Sequence, residues 1–305
     1  MPQILCIRHL PGNGGKLLDE KQLPNNHYVL NPSISYPILY IRGIKHTQFG
    51  EENYIILHNL EKNITHNIAG LNNILNKNVN TYTGLEDLRI IHYNNKLWFT
   101  ATSTHAGPSM NSEMVIGYFN NNLTNIDKIS YIPFGKPPIK NICPIIYDNK
   151  LCLIDIYKKE IYEVVDKNTD YLNTNENTIT DKTINFDIKI IKKINCGNGI
   201  DIDNLKGSTN PIHLHGNLYG CIVHNAIFND DNMNAKLAYM HYWIEIDMNL
   251  GQVTYISSPF WVLMFGIEFI SGIRKDGDTI ELYIGLQDKE AIKYVTSLAF
   301  LRSGK

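Results

Sequence analysis

The segment Gly84-Leu-Glu-Asp-Leu-Arg89 brings two carboxylates and a guanidinium together in six residues. A carboxylate beside a fixed cation can serve as a general acid or base, or can help to bind an anion. Side-chain alternation along a strand would put Asp87 and Arg89 on one face and Glu86 on the other. The same pairing is also typical of a structural salt bridge where two sheets meet, so the residues alone leave both interpretations open.

Similar polar residues precede or follow apolar runs in the other parts of the chain. If they are repeated in every structural unit, such residues would form a ring around one site. Each residue taken singly is equally well explained as a cap or turn residue. The candidates outside the first segment are Asn31, Ser33, Arg42, Lys140, Asn210 and Glu268.

The apolar runs are short, rich in β-branched and aromatic residues, and interrupted every 8 to 12 residues by Asn, Asp or Gly, which predicts strands. An apolar run, a two-residue polar turn and a second apolar run recur in residues 89–103, 143–157, 210–224 and 271–286. A looser copy covers residues 31–53. We interpret each copy as a β-hairpin whose turn tolerates positive φ. The predicted turns are Asn94-Asn95, Asp148-Asn149, Gly216-Asn217 and Asp276-Gly277.

These turns repeat with a period of roughly 60 residues, and second strand pairs lie between the hairpins. Five units of four strands fill the chain and predict an all-β fold, a five-bladed β-propeller with about 60 residues per blade that forms one domain over residues 1–305. A pair of two-sheet β-sandwiches is the alternative. Residues 72–80 and 168–183 are polar and predict loops between strands.

Two further patterns could suggest cofactors. Pro11-Gly-Asn-Gly-Gly15 lacks the Lys-Ser/Thr that completes a phosphate-binding loop, so we predict an ordinary loop there. The histidines at 213, 215, 224 and 241 could suggest a metal site, but no cysteine or carboxylate spacing completes a ligand set. We therefore expect hydrogen-bonded histidines, no metal and no organic cofactor.

The composition limits the class of partner. The 305 residues carry 28 Lys+Arg against 30 Asp+Glu, a net charge of -2, and 43% of them are hydrophobic. A folded protein without affinity for nucleic acid is expected, because polyanion-binding surfaces need excess positive charge. No apolar run approaches the roughly 20 residues of a membrane span.

The residue usage suggests a compartment and a source. The start of the chain shows no secretory pattern, and five scattered cysteines without a CxxC pair predict reduced thiols in a cytoplasmic location. The chain contains 37 Asn and 44 Ile, which we interpret as the codon bias of an AT-rich genome, either viral or microbial. The oligomeric state is left open.

In these motifs the chain resembles glycoside hydrolase family 130, the five-bladed propeller glycosidases and phosphorylases, and the related propeller mannosyltransferases that act as phosphorylases. It also resembles propeller modules of viral and bacterial glycosyltransferase-like proteins. The motifs that carry the resemblance span about residues 28 to 295. They are Asn31-Pro-Ser33 with Arg42, Gly84 to Arg89, Gly207 to Ile212 with Gly216 to His224, Tyr283 to Asp288, Lys140 to Pro144, Tyr239 to Tyr242, and Phe265 to Gly272.

The resemblance implies an inverting reaction at a β-mannoside or a similar sugar in the central channel. Asp87 would be the proton donor, although Leu88 stands where the family usually has proline. Inorganic phosphate or a sugar phosphate would be the co-substrate. The implied anion-binding residues are Arg89, Arg42, Lys140 and His224, and the implied sugar-binding residues are Asn31, Ser33, Arg42, Glu86, Asn210, Glu268 and Asp288.

Two other functions are consistent with the same motifs. A transferase that uses a nucleotide sugar would keep the acid and the channel but would bind a different anion. A non-catalytic propeller that binds glycans would keep the aromatic and Asn positions without needing a positioned acid.

Overall fold

The computed structural model describes residues 8–9, 12–17, 27–47, 50–68, 84–103, 113–132, 140–166, 186–197, 199–229, 236–263, 266–287 and 289–303. These residues form five β-sheets, in agreement with the predicted all-β class. Two short strands come first in the chain, β1 (Arg8–His9) and β2 (Asn13–Lys16).

Sheets 1, 2 and 3 are regular four-stranded antiparallel sheets in which sequential strands are neighbours. Sheet 1 contains β3 (His27–Ser35), β4 (Ile38–Thr47), β5 (Gly50–Asn59) and β6 (Ile64–Ile68). Sheet 2 contains β7 (Leu85–Tyr93), β8 (Lys96–Ser103), β9 (Glu113–Phe119) and β10 (Ile126–Tyr131). Sheet 3 contains β11 (Cys143–Tyr147), β12 (Lys150–Asp155), β13 (Glu160–Asp166) and β14 (Phe186–Lys193).

Sheet 4 is larger and includes parallel pairings of β1 with β21 and of β15 with β20. Its strands are β15 (Asn195–Cys196), β16 (Lys206–Gly207), β17 (Ile212–His215), β18 (Leu218–Asn229), β19 (Lys236–Asp247), β20 (Gln252–Ile256) and β21 (Phe260–Trp261), together with β1. Sheet 5 contains β22 (Glu268–Asp276), β23 (Thr279–Leu286) and β24 (Glu290–Ser297), with β2 as its outer strand. The helix α1 (Leu298–Arg302) follows.

The five sheets form a ring, because a hydrogen bond links each sheet to the next and sheet 5 back to sheet 1. The links, in order, are Ile90 N to Ser33 Oγ, Thr100 Oγ1 to the carbonyl of Ile142 before β11, Tyr219 OH to Ile146 O, His241 Nε2 to Glu268 O, and Ser271 Oγ to Pro32 O. The fold is thus a β-propeller in which sheets 1, 2, 3 and 5 have the regular blade form and sheet 4 departs from it.

Five buried apolar clusters fill the spaces between neighbouring sheets. One joins Tyr40 and Leu57 of sheet 1 to Ile90 and Phe99 of sheet 2. The others lie between sheets 2 and 3, 3 and 4, 4 and 5, and 5 and 1. Side chains on both faces of each sheet are therefore buried, and burial of this apolar surface is the main favourable term that holds the ring together.

The predicted turns at Asn94-Asn95 and Asp148-Asn149 are confirmed, and all four residues have positive φ. Gly216 also has positive φ at the third turn. The fourth turn lies one residue later than predicted, at Gly277-Asp278, because Asp276 still pairs with Thr279. Sheet pairing, which the sequence pattern does not contain, decides where the strand ends.

The prediction of a loop at residues 11–15 is wrong for its described part, since residues 13–16 form β2 and pair with β24. A propeller needs its last sheet completed to close the ring, and this short polar segment supplies that strand. The loops predicted at 72–80 and 168–183 lie outside the described residues. No helix in the described part of the chain is long and apolar enough to cross a membrane.

Ring closure can be tested at Gly12. A Cβ at this position would lie 2.2 Å from Val295 O and 2.4 Å from the Tyr294 ring, whereas a Cβ at Gly15 would meet no atom within 4 Å. We expect Gly12→Ala to destabilise the chain by about 1–3 kcal/mol and Gly15→Ala to have a much smaller effect. Urea unfolding of the two variants measures the difference, and equal stabilities would contradict closure by β2.

Candidate active site

A β-bulge in β7 places the two acidic residues of the 84–89 segment. Glu86 pairs with Thr102 and Arg89 pairs with Thr100, so β7 has one residue more than β8 between these pairs. Asp87 lies in this bulge with a φ of 54°. A bulge redirects side chains, so the predicted alternation of Glu86 and Asp87 to opposite faces is wrong.

The neighbouring inner strand β3 has the same feature. Leu30 pairs with Arg42 and Ser33 with Tyr40, which leaves one extra residue, and Asn31 has a φ of 45°. Non-glycine residues with such φ values are uncommon, and Asn and Asp tolerate them best. Residue type and backbone conformation therefore agree at both bulges.

The two bulges bring four predicted site residues together. Arg42 Nη2 donates to Glu86 Oε1 at 2.9 Å, and Arg42 Nη1 lies 3.4 Å from Asp87 Oδ1. Asn31 Nδ2 donates to the same Asp87 oxygen at 2.6 Å. Asp87 Oδ2 makes no hydrogen bond to the described residues, and the Asp87 side chain is 24% exposed. The carboxyl group of Asp87 is thus held through Oδ1 alone.

Arg42 is buried and fully engaged. Besides the two carboxylates, its Nε donates to Asn53 Oδ1 at 2.9 Å. Two carboxyl groups surround this one guanidinium, so Arg42 is paired within the cluster of Asn31, Arg42, Glu86 and Asp87. Sequence reasoning did not identify Asn53, because the strand register that places it beside Arg42 cannot be read from one strand.

Tyr40 is a second residue that sequence reasoning missed. It lies two positions before Arg42 on β4, is fully buried, and packs in the same cluster as Leu85 and Leu88. Burial raises the pKa of the Tyr40 phenol far above its usual value. The phenol therefore stays neutral beneath the charged cluster.

Arg89 connects this cluster to sheet 4. Its Nη1 donates to the Asp87 carbonyl at 2.7 Å, its Nε donates to the Ser208 carbonyl at 2.5 Å, and its Cζ lies 5.3 Å from the centre of the Phe269 ring. Its Nη2 has no hydrogen-bond partner in the described part of the chain. Unlike Arg42, Arg89 pairs with no carboxylate among the described residues, so its positive charge is not neutralised.

His224 lies on the far side of Ser208. A 2.7 Å hydrogen bond joins Ser208 Oγ and His224 Nδ1, and the imidazole packs edge-on against Tyr239 and Phe269. Burial lowers the pKa of His224 well below its ordinary value, and His241, Arg89 and Lys206 lower it further by smaller amounts. His224 is therefore neutral at pH 7. Lys206 pairs with His224 across the strands and adds an exposed positive charge there.

The remaining predicted residues lie apart from the Asp87 cluster or have structural partners. Ser33 is buried and accepts the Ile90 N–H, and Asn210 Nδ2 donates to the Ile90 carbonyl at 2.8 Å. Lys140 is exposed just before β11. Asp288 lies outside the described residues.

Glu268 is fully buried. Its two carboxylate oxygens accept the backbone N–H groups of Val262 and Leu263 at 2.7 and 2.6 Å, and its carbonyl accepts from His241 Nε2. This arrangement holds sheets 4 and 5 together and does not present the carboxylate to a ligand.

The described residues contain no group of three or more His, Cys, Asp or Glu side chains that could hold a metal. His213 and His215 are exposed on β17, and His213 Nε2 donates to the Gly216 carbonyl. The four described cysteines form no disulfide. The two histidines therefore make ordinary surface contacts.

Several solved structures have a similar fold at low sequence identity. A mannose phosphorylase from Leishmania mexicana, in complex with a phosphate ion, is 14% identical, with a TM-score of 0.56 over 90% of this chain and 86% of that chain. A GDP-Man-dependent mannosyltransferase from Leishmania mexicana is 14% identical, with a TM-score of 0.55 over 92% and 88% of the two chains.

A further similar structure is from the GH130 family of mannoside phosphorylases. That family contains glycoside hydrolases that target beta-1,2 mannosidic linkages in Candida mannan. The structure is 12% identical, with a TM-score of 0.50 over 90% of this chain and 85% of that chain. No protein-family model and no curated protein sequence matches this chain. At such identities the similarity shows the fold alone, and this fold is the one that the motifs predicted.

The buried histidines predict how stability depends on pH. Burial lowers the pKa of His241 from 6.5 to about 4, so the unfolded chain binds a proton there between these values and the folded chain does not. Stability should therefore fall as the pH is lowered from about 6.5 to about 4, by an amount on the order of 3 kcal/mol from His241. Urea unfolding across this range should show a smaller loss for His241→Gln than for the parent chain. Equal losses would contradict the assignment to His241.

Proposed function

We propose that the chain is a carbohydrate-active enzyme that catalyses inverting glycosyl transfer or phosphorolysis on a mannoside-like glycan, with Asp87 as the proton donor. The observation that carries this proposal is the geometry of Asp87. Asn31 and Arg42 hold its Oδ1, Oδ2 has no hydrogen bond to the described residues, and the side chain is partly exposed. A general acid needs this combination of fixed position and access to the leaving group.

In the proposed reaction, Asp87 donates its proton to the glycosidic oxygen as the bond from that oxygen to the anomeric carbon breaks. An oxygen of phosphate bonds to the same carbon from the opposite face, and the configuration inverts. The nucleophile is already anionic, so no second carboxylate is required as a base. This fits a site in which the other nearby carboxylate, Glu86, is already bound to Arg42.

The anion would bind on the side of Arg89, His224 and Lys206. The charge of Arg89 is not paired with a carboxylate among the described residues, and its buried Nη2 has no hydrogen-bond partner there. Lys206 adds a second cation, and the neutral His224 can donate one hydrogen bond. Arg42 is assigned a positioning role instead, because two carboxylates already neutralise it. Lys140 is kept as a peripheral candidate because it is exposed.

The sugar would lie between Asp87 and the cation group, by which we mean Arg89 and Lys206. Asn31 and Glu86 border the acid directly, whereas Ser33 and Asn210 act through the backbone of Ile90. Asp288 is retained as a sugar-binding candidate from the motif. Glu268 is not used in this proposal, because its carboxylate already accepts two backbone N–H groups.

The mannoside class and the phosphate are supported by the fold shared with the Leishmania mannose phosphorylase in complex with phosphate. The fold shared with the GDP-Man-dependent mannosyltransferase supports a second candidate, transfer from a nucleotide sugar. In that reaction Asp87 would act as a base on the acceptor hydroxyl, and the cation group would bind the diphosphate of the donor. A propeller that only binds glycans would require neither the cations nor the unbonded oxygen of Asp87.

Turnover assays with Asp87→Asn test the proposed acid. Purified protein is incubated with sugar 1-phosphates, nucleotide sugars and simple acceptors, and product and released phosphate are measured. Asp87→Asn should lose about 10²- to 10⁴-fold in rate, because a general acid contributes that much. Asp276→Asn changes a 70% exposed aspartate in the last hairpin and should retain the parent rate. An Asp87→Asn variant as active as the parent would contradict the mechanism. Absence of turnover with a glycan-induced rise in Tm would favour a binding protein.

Lys206→Met tests the anion subsite without disturbing the core, because Lys206 is exposed. We expect the KM for phosphate to rise by about tenfold. A hydrogen bond to a charged group contributes about 1.5–3 kcal/mol, and tenfold corresponds to the lower end of this range. The KM for the glycan should not change. Lys62→Met removes an exposed lysine from the β5–β6 turn and serves as the matched control. An equal change in both KM values for Lys206→Met would contradict an anion subsite there.

A further inference from the structure

Asn31, which donates to Asp87, lies directly against a glycine of sheet 5. A Cβ built on Gly285 in β23 would lie 2.2 Å from Asn31 Oδ1, 2.7 Å from Asn31 N and 3.3 Å from Asn31 Cα. The first two separations are shorter than any real Cβ contact. The φ of Gly285 lies outside the left-handed region, so space and not backbone conformation requires glycine here.

Asn31 has little freedom to move away from this contact. It is 7% exposed and occupies the β3 bulge with positive φ. The carbonyl of the next residue, Pro32, accepts a 2.7 Å hydrogen bond from Ser271 Oγ of sheet 5. A side chain at 285 would therefore displace the Asn31 amide from its present place, and Asp87 would lose its 2.6 Å donor.

The second donor to Asp87 has a similar arrangement. Arg42 is held through Asn53, and a Cβ on Gly84 would lie 2.7 Å from Asn53 Cβ. Gly84 also has a φ of 138°, so a substitution there would add backbone strain to the steric contact. Gly285 is the better position for an experiment, because a substitution there adds side-chain volume without adding backbone strain.

We propose that Gly285 is a positioning residue for the acid. The space at Gly285 lets Asn31 approach closely, Asn31 Nδ2 then fixes Asp87 Oδ1, and Oδ2 keeps its orientation for proton donation. The effect on catalysis rests on the proposed role of Asp87. The effect on the position of Asn31 does not depend on that role.

The test compares crystal structures and kinetics of Gly285→Ala and Gly15→Ala. The control places the same methyl group in a strand of the same sheet, where no atom lies within 4 Å. In Gly285→Ala we expect the distance from Asn31 Nδ2 to Asp87 Oδ1 to exceed hydrogen-bonding range and kcat to fall by about 10²-fold, as a 1 Å misplacement can cost. KM should change little, and Gly15→Ala should match the parent in both measurements.

A double variant separates positioning from general packing. Asn31→Gly removes the atom closest to residue 285 and suits the positive φ. When Gly285→Ala is added to Asn31→Gly, kcat should fall no further, because the amide that donates to Asp87 is already absent. If Gly285→Ala by itself does not fold, the double variant is measured instead, because the contact with Asn31 Oδ1 is absent from it.

Retention of the distance from Asn31 Nδ2 to Asp87 Oδ1 in Gly285→Ala would overturn the proposal, as would additive losses of kcat in the double variant. If the parent chain turns over no substrate, the proposed function fails but the crystallographic distance still decides the role of Gly285. A lost hydrogen bond with unchanged kcat in an active enzyme would overturn the catalytic part of the inference.

Discussion

Arg42 donates to three acceptors that come from two sheets: Asn53 of sheet 1 and both Glu86 and Asp87 of sheet 2. A buried guanidinium is costly unless its donors are paired, and here each hydrogen-bonding nitrogen of the side chain has a partner. This requirement fixes the two inner bulges relative to each other. Removal of either acidic partner would leave one buried guanidinium nitrogen without its hydrogen-bond acceptor, so the position of Asp87 and the packing of sheets 1 and 2 are linked.

The same principle explains why the two arginines of the site have different roles. Arg42 is surrounded by carboxylates, and its charge is used within the protein. Arg89 is equally buried but donates to backbone carbonyls and lies over the Phe269 ring, so no carboxylate of the described residues pairs with its charge. Burial also keeps His224 neutral, which leaves Arg89 and Lys206 as the cations on that side.

The ring itself supplies the precision of this arrangement. Buried apolar clusters pack each sheet against the next, and β2 completes the last sheet. Glycines permit close approach where a site residue of one sheet meets the backbone of another, as Gly285 does at Asn31. Because the sheets pack face to face around a closed ring, the position of each strand is fixed by contacts with its neighbours.

The sequence by itself determined the class of fold, the hairpins and most of their turns, because strand periodicity and turn residues are local properties. It also located the acidic segment and Asn31, Arg42 and Arg89 as site candidates. The tertiary structure decided how these side chains are used. Glu86 and Asp87 face the same arginine only because β7 has one more residue than β8 at the bulge, which is a property of two paired strands. Two other features could not be read from the local pattern for the same reason. The Glu268 carboxylate accepts two backbone N–H groups, and residues 13–16 form the strand that completes sheet 5. Alternation is set within a strand, whereas bulges, closure and burial of charge are set by the strands packed against it.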